Sequence, residues 1–493
     1  MRVAGLLGAN ALMLGAGFGV LPLLGVARSW RELASRSGLA YFCGMATVGV
    51  FSAHLALVGV SFGWTALAAL AGLLLAAGSW RLRETELPRW RLPTWIPVGG
   101  AVAVLAVLAE YARGFAVAPL DRYDAWAIWA LKGHALYVFG WADPVLFASS
   151  SYRFAHLEYP LLLPSLEAID FRAMGAFDTR LLHLQFLLML VAALAALATL
   201  LRDHVPMILL WPSLLAVVLA PSVFDQLLSA YADLPLALFF AVGVAASARW
   251  LLTNEPWALA VAALFFAAAL LTKNEGVLFV LAAFLGLALA GGRRWRALAL
   301  VAAIDVVALL PWRIYTAIYG LKGSDFKLTD SFDVSHVAGR LGVGPISFGT
   351  LGLQMIDPRQ WGLLFILFAG IVVAAFLAGL RALPLYGVVL AAMSWLGLSW
   401  IYVISHLSYG HYLDLTKERV ISSIVLSGGV LTPLLAAETW RIARRDPAAC
   451  SDQPRVEAPT SPGERSAWRL NSRISCVRGP RAIHRLRGHH PSR

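Results

Sequence analysis

Five short polar clusters interrupt an otherwise apolar chain, and each holds residue types able to bind or activate a substrate. The first runs Asp121-Arg122-Tyr123-Asp124-Ala125-Trp126, with Trp129, Lys132 and His134 just beyond. A carboxylate half withdrawn from water beside a cation is a candidate general base, because burial and charge tune its pKa. Aspartate is also a favoured helix N-cap that complements the helix dipole. Both readings stand for Asp121 and Asp124, three residues apart. Trp126 and Trp129 recur at helical spacing, as do Tyr123 and Ala130, which predicts an amphipathic helix along a membrane interface with its aromatics at headgroup depth.

The second cluster is His156-Leu157-Glu158-Tyr159-Pro160, followed by Pro164, Glu167, Asp170 and Asp178. Tyr159-Pro160 reads as a turn before a short helix. His156 and Glu158 are either surface polar groups or, with the Asp pair, ligands for a divalent metal, although their spacing is not that of a metal motif. Next come Tyr231-Ala232-Asp233-Leu234-Pro235, opening an apolar run, and Lys273-Asn274-Glu275, splitting one. An ionisable group dipping into a membrane bundle is expensive and marks a functional site by default, while Lys273 and Glu275 have the simpler option of pairing with each other. The last cluster holds His406, His411, Tyr412, Asp414, Lys417, Glu418 and Arg419. A guanidinium there fits a phosphate bidentately, or serves as a snorkelling anchor.

The elements that must position these groups are membrane spans. Of 493 residues 59% are hydrophobic and 14% charged, against about 25% charged in a soluble domain. Apolar runs near 3–25, 38–60, 62–79, 96–113, 181–201, 205–222, 233–251, 257–272, 276–291, 297–315, 361–380, 384–404 and 420–437 approach the roughly 20 residues that cross a bilayer, which predicts thirteen spans. The first run is long and lacks a cleavage pattern, so it reads as a span rather than a signal peptide. Arginines fall in every second loop, at Arg28, Arg31 and Arg36, at Arg81, Arg83, Arg89 and Arg91, at Arg202, Arg249, Arg293, Arg294, Arg296 and Arg381, and at Arg441, Arg444 and Arg445. That alternation predicts an outside N-terminus and an inside C-terminus. It places segments 113–180, 223–232, 316–360 and 405–419, and with them all five polar clusters, on the outer side.

This distribution accounts for the net charge of +12 without a nucleic-acid partner. Cys43, Cys450 and Cys476 are far apart and suggest neither a disulfide framework nor zinc. The chain divides into a four-span segment (1–112), a large outer loop with amphipathic helices (113–180), a transmembrane core (181–437) and a basic tail (438–493), whose polar, Arg-, Pro- and Ser-rich composition from Ser451 predicts disorder on the cytoplasmic side.

The clusters, in this order, resemble the GT-C class of membrane glycosyltransferases, in particular bacterial relatives of protein mannosyltransferases and aminoarabinose transferases. The resemblance rests on Asp124 in Tyr-Asp-Ala-Trp, Tyr159-Pro160, Tyr231-Ala-Asp233-Leu, Lys273-Asn-Glu275-Gly276 and Arg419, and covers about residues 113–437. Two departures stand out: four spans precede the catalytic loop where the class has one, and the loop lacks two adjacent acids, leaving Asp121 and Asp124 both as candidate bases.

The resemblance implies an all-α, GT-C-like bundle of about thirteen transmembrane helices. It also implies a donor sugar on polyprenyl phosphate, taken from the membrane and transferred with inversion to a glycan, lipid or protein acceptor at the outer face of the plasma (bacterial inner) membrane. Asp124, or Asp121, would be the base, and Arg419 and Lys273 would hold the donor phosphate. His156, Glu158, Tyr159, Asp233, Glu275, Lys132 and His411 would shape the substrate pocket. The resemblance fixes no cofactor and leaves room for an optional divalent metal. The rival expectation is a transporter or lipid flippase for an amphipathic substrate, which also needs many spans and intramembrane charges, but internal repeats typical of transporters are absent from the sequence.

Overall fold

The structure, a computed structural model, describes residues 1–82, 95–115, 118, 120–292, 294–321, 323 and 328–444. Arg83, Arg89, Arg91, Arg293, Arg445, Cys450, Cys476 and the tail expected to be disordered lie outside the described residues. The protein is all-helical, with 83% helix and no strand among the described residues. A compact unit spans Met1–Glu438.

Eight helices are long and apolar enough to cross a membrane: Arg2–Leu23, Ser37–Leu57, Val98–Phe115, Thr179–Leu201, Asp233–Thr253, Trp295–Ile318, Ala382–Ile404 and Tyr412–Ala443. Met207–Leu219 and Pro221–Ser229, bent by 51° at their junction, make a ninth if taken as one broken span. Pro256–Thr272, Glu275–Ala290 and Leu364–Leu377 are apolar but shorter. The protein is thus a polytopic, membrane-embedded bundle. All thirteen apolar runs of the sequence fall on helices, Trp64–Arg81 being the one not yet mentioned.

The first four-span segment is packed through small residues. Helix Arg2–Leu23 lies against both Ala40–Leu57 and Trp64–Arg81. A Cβ on Gly17 would stand 1.6 Å from the carbonyl oxygen of Ala40, and one on Gly44 would stand 1.8 Å from that of Met13. Such backbone contact is the usual way helices associate where lipid removes any hydrophobic drive. The same two helices then receive Leu162–Met174, a helix of the first long loop. The extra N-terminal spans are therefore the bed on which that loop rests.

Asp233–Thr253 and Pro256–Thr272 pack along one another at the centre of the unit and are buried nearly all round, as expected of helices apolar on every face. The chain then breaks at Lys273, whose backbone is extended (φ −153°, ψ 153°), and re-enters as Glu275–Ala290. Gly276 makes the tight return possible, because a Cβ there would lie 2.3 Å from the carbonyl oxygen of Ala269.

The first long loop is helical, but not in the expected register. Asp124–Ala130 winds as a π-helix before passing into the α-helix Leu131–Phe139. The wider π turn separates residues that an α-helix would align. Tyr123 and Trp126 are exposed, while Trp129 and Ala130 are buried. Trp129 is thus a core residue and not the headgroup anchor that its spacing from Trp126 suggested. It stacks on Tyr159, with ring centroids 5.5 Å apart and planes at 2°.

Candidate functional site

Four segments far apart in sequence meet at one ion network. Asp124, in the first turn of the π-helix, forms an ion pair with Arg419 (Oδ2 to Nη1, 2.5 Å). The same Arg419 nitrogen lies 3.6 Å from Oδ2 of Asp233. Lys273 Nζ contacts Asp233 Oδ1 at 2.8 Å and Glu275 Oε1 at 3.0 Å. Asp233 and Lys273 are buried, and Glu275, Arg419 and Asp124 are partly buried, Asp124 being the most exposed. In the low effective dielectric of such a place each charge depends on the others, since an isolated buried ion would cost several kcal/mol.

Lys273 and Glu275 do pair, but Lys273 also holds Asp233, so the simple two-residue pairing understates the arrangement. Arg419 is no snorkelling anchor: its guanidinium is turned inward and lies over the ring of Tyr231, 4.3 Å from the centroid. Asp121 is elsewhere. It is well exposed, and its close charged neighbour is Arg122 at 3.9 Å.

A second group adjoins the first through Tyr159. Lys132, fully buried, lies over Trp129 and Tyr159 (4.6 and 5.6 Å to the centroids) and donates to the backbone oxygen of His156 at 3.1 Å. His156 Nδ1 meets Glu158 Oε1 at 3.1 Å, and the His156 ring stacks on Tyr159. Lys273 Nζ also lies over this shared aromatic, 5.9 Å from its centroid, and Asn274 donates to the Glu158 carbonyl at 3.3 Å. Of the residues singled out in the sequence, Asp124, Arg419, Asp233, Lys273, Glu275, Tyr159, Lys132, His156 and Glu158 thus form one connected patch. Asp121 stands apart, and the side chain of His411 lies outside the described residues.

Two backbone conformations at the patch are strained. His156 (φ 47°) and Ala230 (φ 52°) occupy the left-handed region without being glycine, which persists only where surrounding structure enforces it. His156 thereby turns its carbonyl to Lys132, and Ala230 delivers Tyr231 to Arg419.

Beneath the patch lie two further carboxyls. Glu167 and Asp170 of helix Leu162–Met174 are fully buried, and none of their four oxygens has a hydrogen-bond partner among the described residues. Burial pushes both carboxyls well above the usual range, and for Glu167 the nearby Asp170 adds to the rise while Lys132 opposes it. Burial drives Lys132 the other way, down to about 7, against the pull of Glu158 and Glu167. All three groups are pressed toward their neutral forms, the expected response to a low dielectric.

Sequence reasoning passed over Tyr231, Trp129, Glu167 and Asp170 as site residues. Tyr231 sits two positions before Asp233, and Glu167 and Asp170 are one helical turn apart in an apolar helix, which was the available signal. Among the described residues no group of three or more His, Cys, Asp or Glu side chains is arranged to hold a metal ion. In particular, His156 and Glu158 meet each other without the Asp pair.

Chemically, the patch offers a carboxylate whose guanidinium partner also has another acid in reach, and several uncommitted polar atoms. Arg419 Nε, Glu275 Oε2 and Asn274 Oδ1 are buried without a hydrogen-bond partner among the described residues. Compared with protein-family models, with curated proteins and with solved structures, the chain finds no match in any of the three.

Proposed function

We propose that the protein is a glycosyltransferase that moves a sugar from a polyprenyl-phosphate donor to a glycan, lipid or protein acceptor at the outer face of the plasma membrane, within a GT-C-like bundle of about thirteen spans. The observation that carries this reading is the shared arginine. Arg419 binds Asp124 at 2.5 Å and has Asp233 at 3.6 Å, so an incoming phosphate can take over the guanidinium while Asp233 and Lys273 keep each other neutralised. Donor binding then frees the Asp124 carboxylate.

In this scheme the acceptor hydroxyl attacks the anomeric carbon as its proton passes to Asp124. The bond from that carbon to the phosphate oxygen breaks with inversion, and polyprenyl phosphate leaves held by Arg419 and Lys273. Tyr159, His156 and Glu158 line the adjoining substrate surface, with Lys132 buried behind them. The resemblance of the five clusters to GT-C enzymes supplies the substrate class.

One observation favours transport as a second reading. The 51° break between Met207–Leu219 and Pro221–Ser229 is the kind of discontinuous helix from which transporters build midplane sites. The bend, however, adds no charged residue to the ion network.

A deletion strain complemented with the wild type or with Asp124→Asn separates the two. Mass spectrometry of surface glycans and lipid-linked sugars is expected to show a lost product and an accumulated polyprenyl-phosphate sugar in both the deletion and the Asp124→Asn strain. Full restoration by Asp124→Asn sinks the assignment of the base. An unchanged profile in the deletion strain sinks the transferase itself.

A further inference from the structure

The two helices Asp233–Thr253 and Trp295–Ile318 share a second feature far from the ion network. Asp233 opens the first of them inside the network, and the second runs on to Tyr319–Leu321, which shares a crevice with Glu158. At about 1.5 Å per residue, the other ends of these 21- and 24-residue helices lie roughly 30 Å or more away, about one bilayer core.

At that far end is an open crevice of about 820 Å³ lined by Trp250, Asn254, Arg294, Trp295, Arg296 and Ala297. Arg294 lies over the Trp250 ring at 5.3 Å and Arg296 over that of Trp295 at 5.3 Å. Neither arginine has an acidic partner among the described residues. The contrast with neighbouring Arg249 is informative. Its guanidinium is fully engaged, by Asp203 and Glu255 at 2.9 Å each and by the Leu200 carbonyl at 3.0 Å. Acids at this end are thus spent on Arg249, while two guanidinium groups are braced on indole faces with their N–H edges uncommitted. Beyond the crevice, Leu300, Ile304 and Val307 are exposed on successive turns of the same span, an apolar track leading away from the charges.

We propose that this crevice binds the phosphodiester headgroup of an anionic phospholipid, with Arg294 and Arg296 on the phosphate and an acyl chain along Leu300, Ile304 and Val307. The apolar track selects a lipid over a soluble phosphate, because a free anion would use only the arginines. Trp295, 64% exposed, sits where indoles favour the membrane interface. The inference is independent of the glycosyltransferase reading.

The full chain in neutral detergent, titrated with phosphatidylglycerol and phosphatidylcholine of identical tails under native mass spectrometry, tests it. Phosphatidylglycerol is expected to bind at least tenfold more tightly. Arg294→Gln/Arg296→Gln together should weaken it roughly thirtyfold, the effect of two basic groups at an anionic surface, and leave phosphatidylcholine unchanged. Arg113→Gln, which removes an exposed arginine paired with Glu110, should change neither. Equal binding of the two lipids overturns the proposal, as does an equal loss in Arg113→Gln, which would reduce the effect to net charge. Displacement of phosphatidylglycerol by an equal concentration of glycerol phosphate overturns the lipid assignment in favour of a soluble phosphate. If the double variant is polydisperse, the exposed single variant Arg296→Gln serves, with a loss of about fivefold expected and no loss decisive against.

Discussion

Arg419 carries two obligations, to Asp124 and to Asp233, and removing an acid from this network has a different consequence from removing its lysine. Asp124→Asn leaves Arg419 and Lys273 facing Asp233 and Glu275, two cations against two acids where the wild type has three acids, so no buried charge is stranded. Turnover should fall by about 10²–10⁴, the usual worth of a general base, with a melting temperature close to wild type, read from purified-protein assays and thermal unfolding. Lys273→Met leaves Arg419 alone against Asp124, Asp233 and Glu275 and should cost about 3–5 kcal/mol, visible as a collapse in yield or melting temperature. A stable Lys273→Met protein would mean that the network is not held by mutual neutralisation.

Lys132 makes a prediction about pH. Its folded pKa is lowered from 10.5 to about 7, so between these values the unfolded chain binds a proton that the folded one does not. Its contribution to stability is present above the ordinary lysine range and lost as pH falls toward 7. Lys132→Met should therefore gain on the wild type most below pH 7 and least near pH 10, in thermal melts across that range. A difference independent of pH would refute the buried, depressed lysine.

The ionisable groups of the network were legible in the sequence because each is an expensive exception in an apolar chain. Lys132, Trp129, Glu167 and Asp170 were harder to place. Glu167 and Asp170 are buried against helices Arg2–Leu23 and Ala40–Leu57, more than a hundred residues earlier, and Trp129 and Lys132 are covered by Tyr159 and helix Leu162–Met174, so nothing local announces their burial.

Among the elements, the π turn at Asp124–Ala130 shows where periodicity misleads. The spacing of Trp126 and Trp129 predicts a common face only for 3.6 residues per turn, and π geometry sends Trp129 inward to Tyr159. Such single π turns recur at functional sites. The extra N-terminal spans, silent in the sequence as to purpose, support helix Leu162–Met174 through glycine contacts. Gly17→Val should break that bed, since its side chain would enter the Ala40 carbonyl. The expected result is loss of monodisperse protein, whereas the same change at Gly72, where a Cβ meets open space, should be tolerated. Equal behaviour of the two would remove the packing argument.

For the molecule as a whole, all-helical membrane architecture was readable from composition, and the thirteen apolar runs each became a helix. Their crossing count was not, because Pro256–Thr272, Glu275–Ala290 and Leu364–Leu377 are shorter than a free-standing span. Sidedness is testable with single cysteines. Ser150→Cys, in the crevice that Glu158 lines, should react with a membrane-impermeant maleimide in intact cells, and Ala297→Cys only after permeabilisation. Cys43 is fully buried and should contribute little background, and Cys450 and Cys476 are replaced by serine in both variants. The opposite labelling pattern would invert the topology drawn from the basic loops.

The order in which the site's residues leave the ribosome gives the Arg419 contact a meaning in time. Asp124, Asp233, Lys273 and Glu275 are all made before Arg419, and until it arrives Asp124 has no cation and Asp233 has only Lys273. The last span thus closes a circuit that earlier segments leave open, and a chain ending before it carries an unneutralised acid inside its bundle.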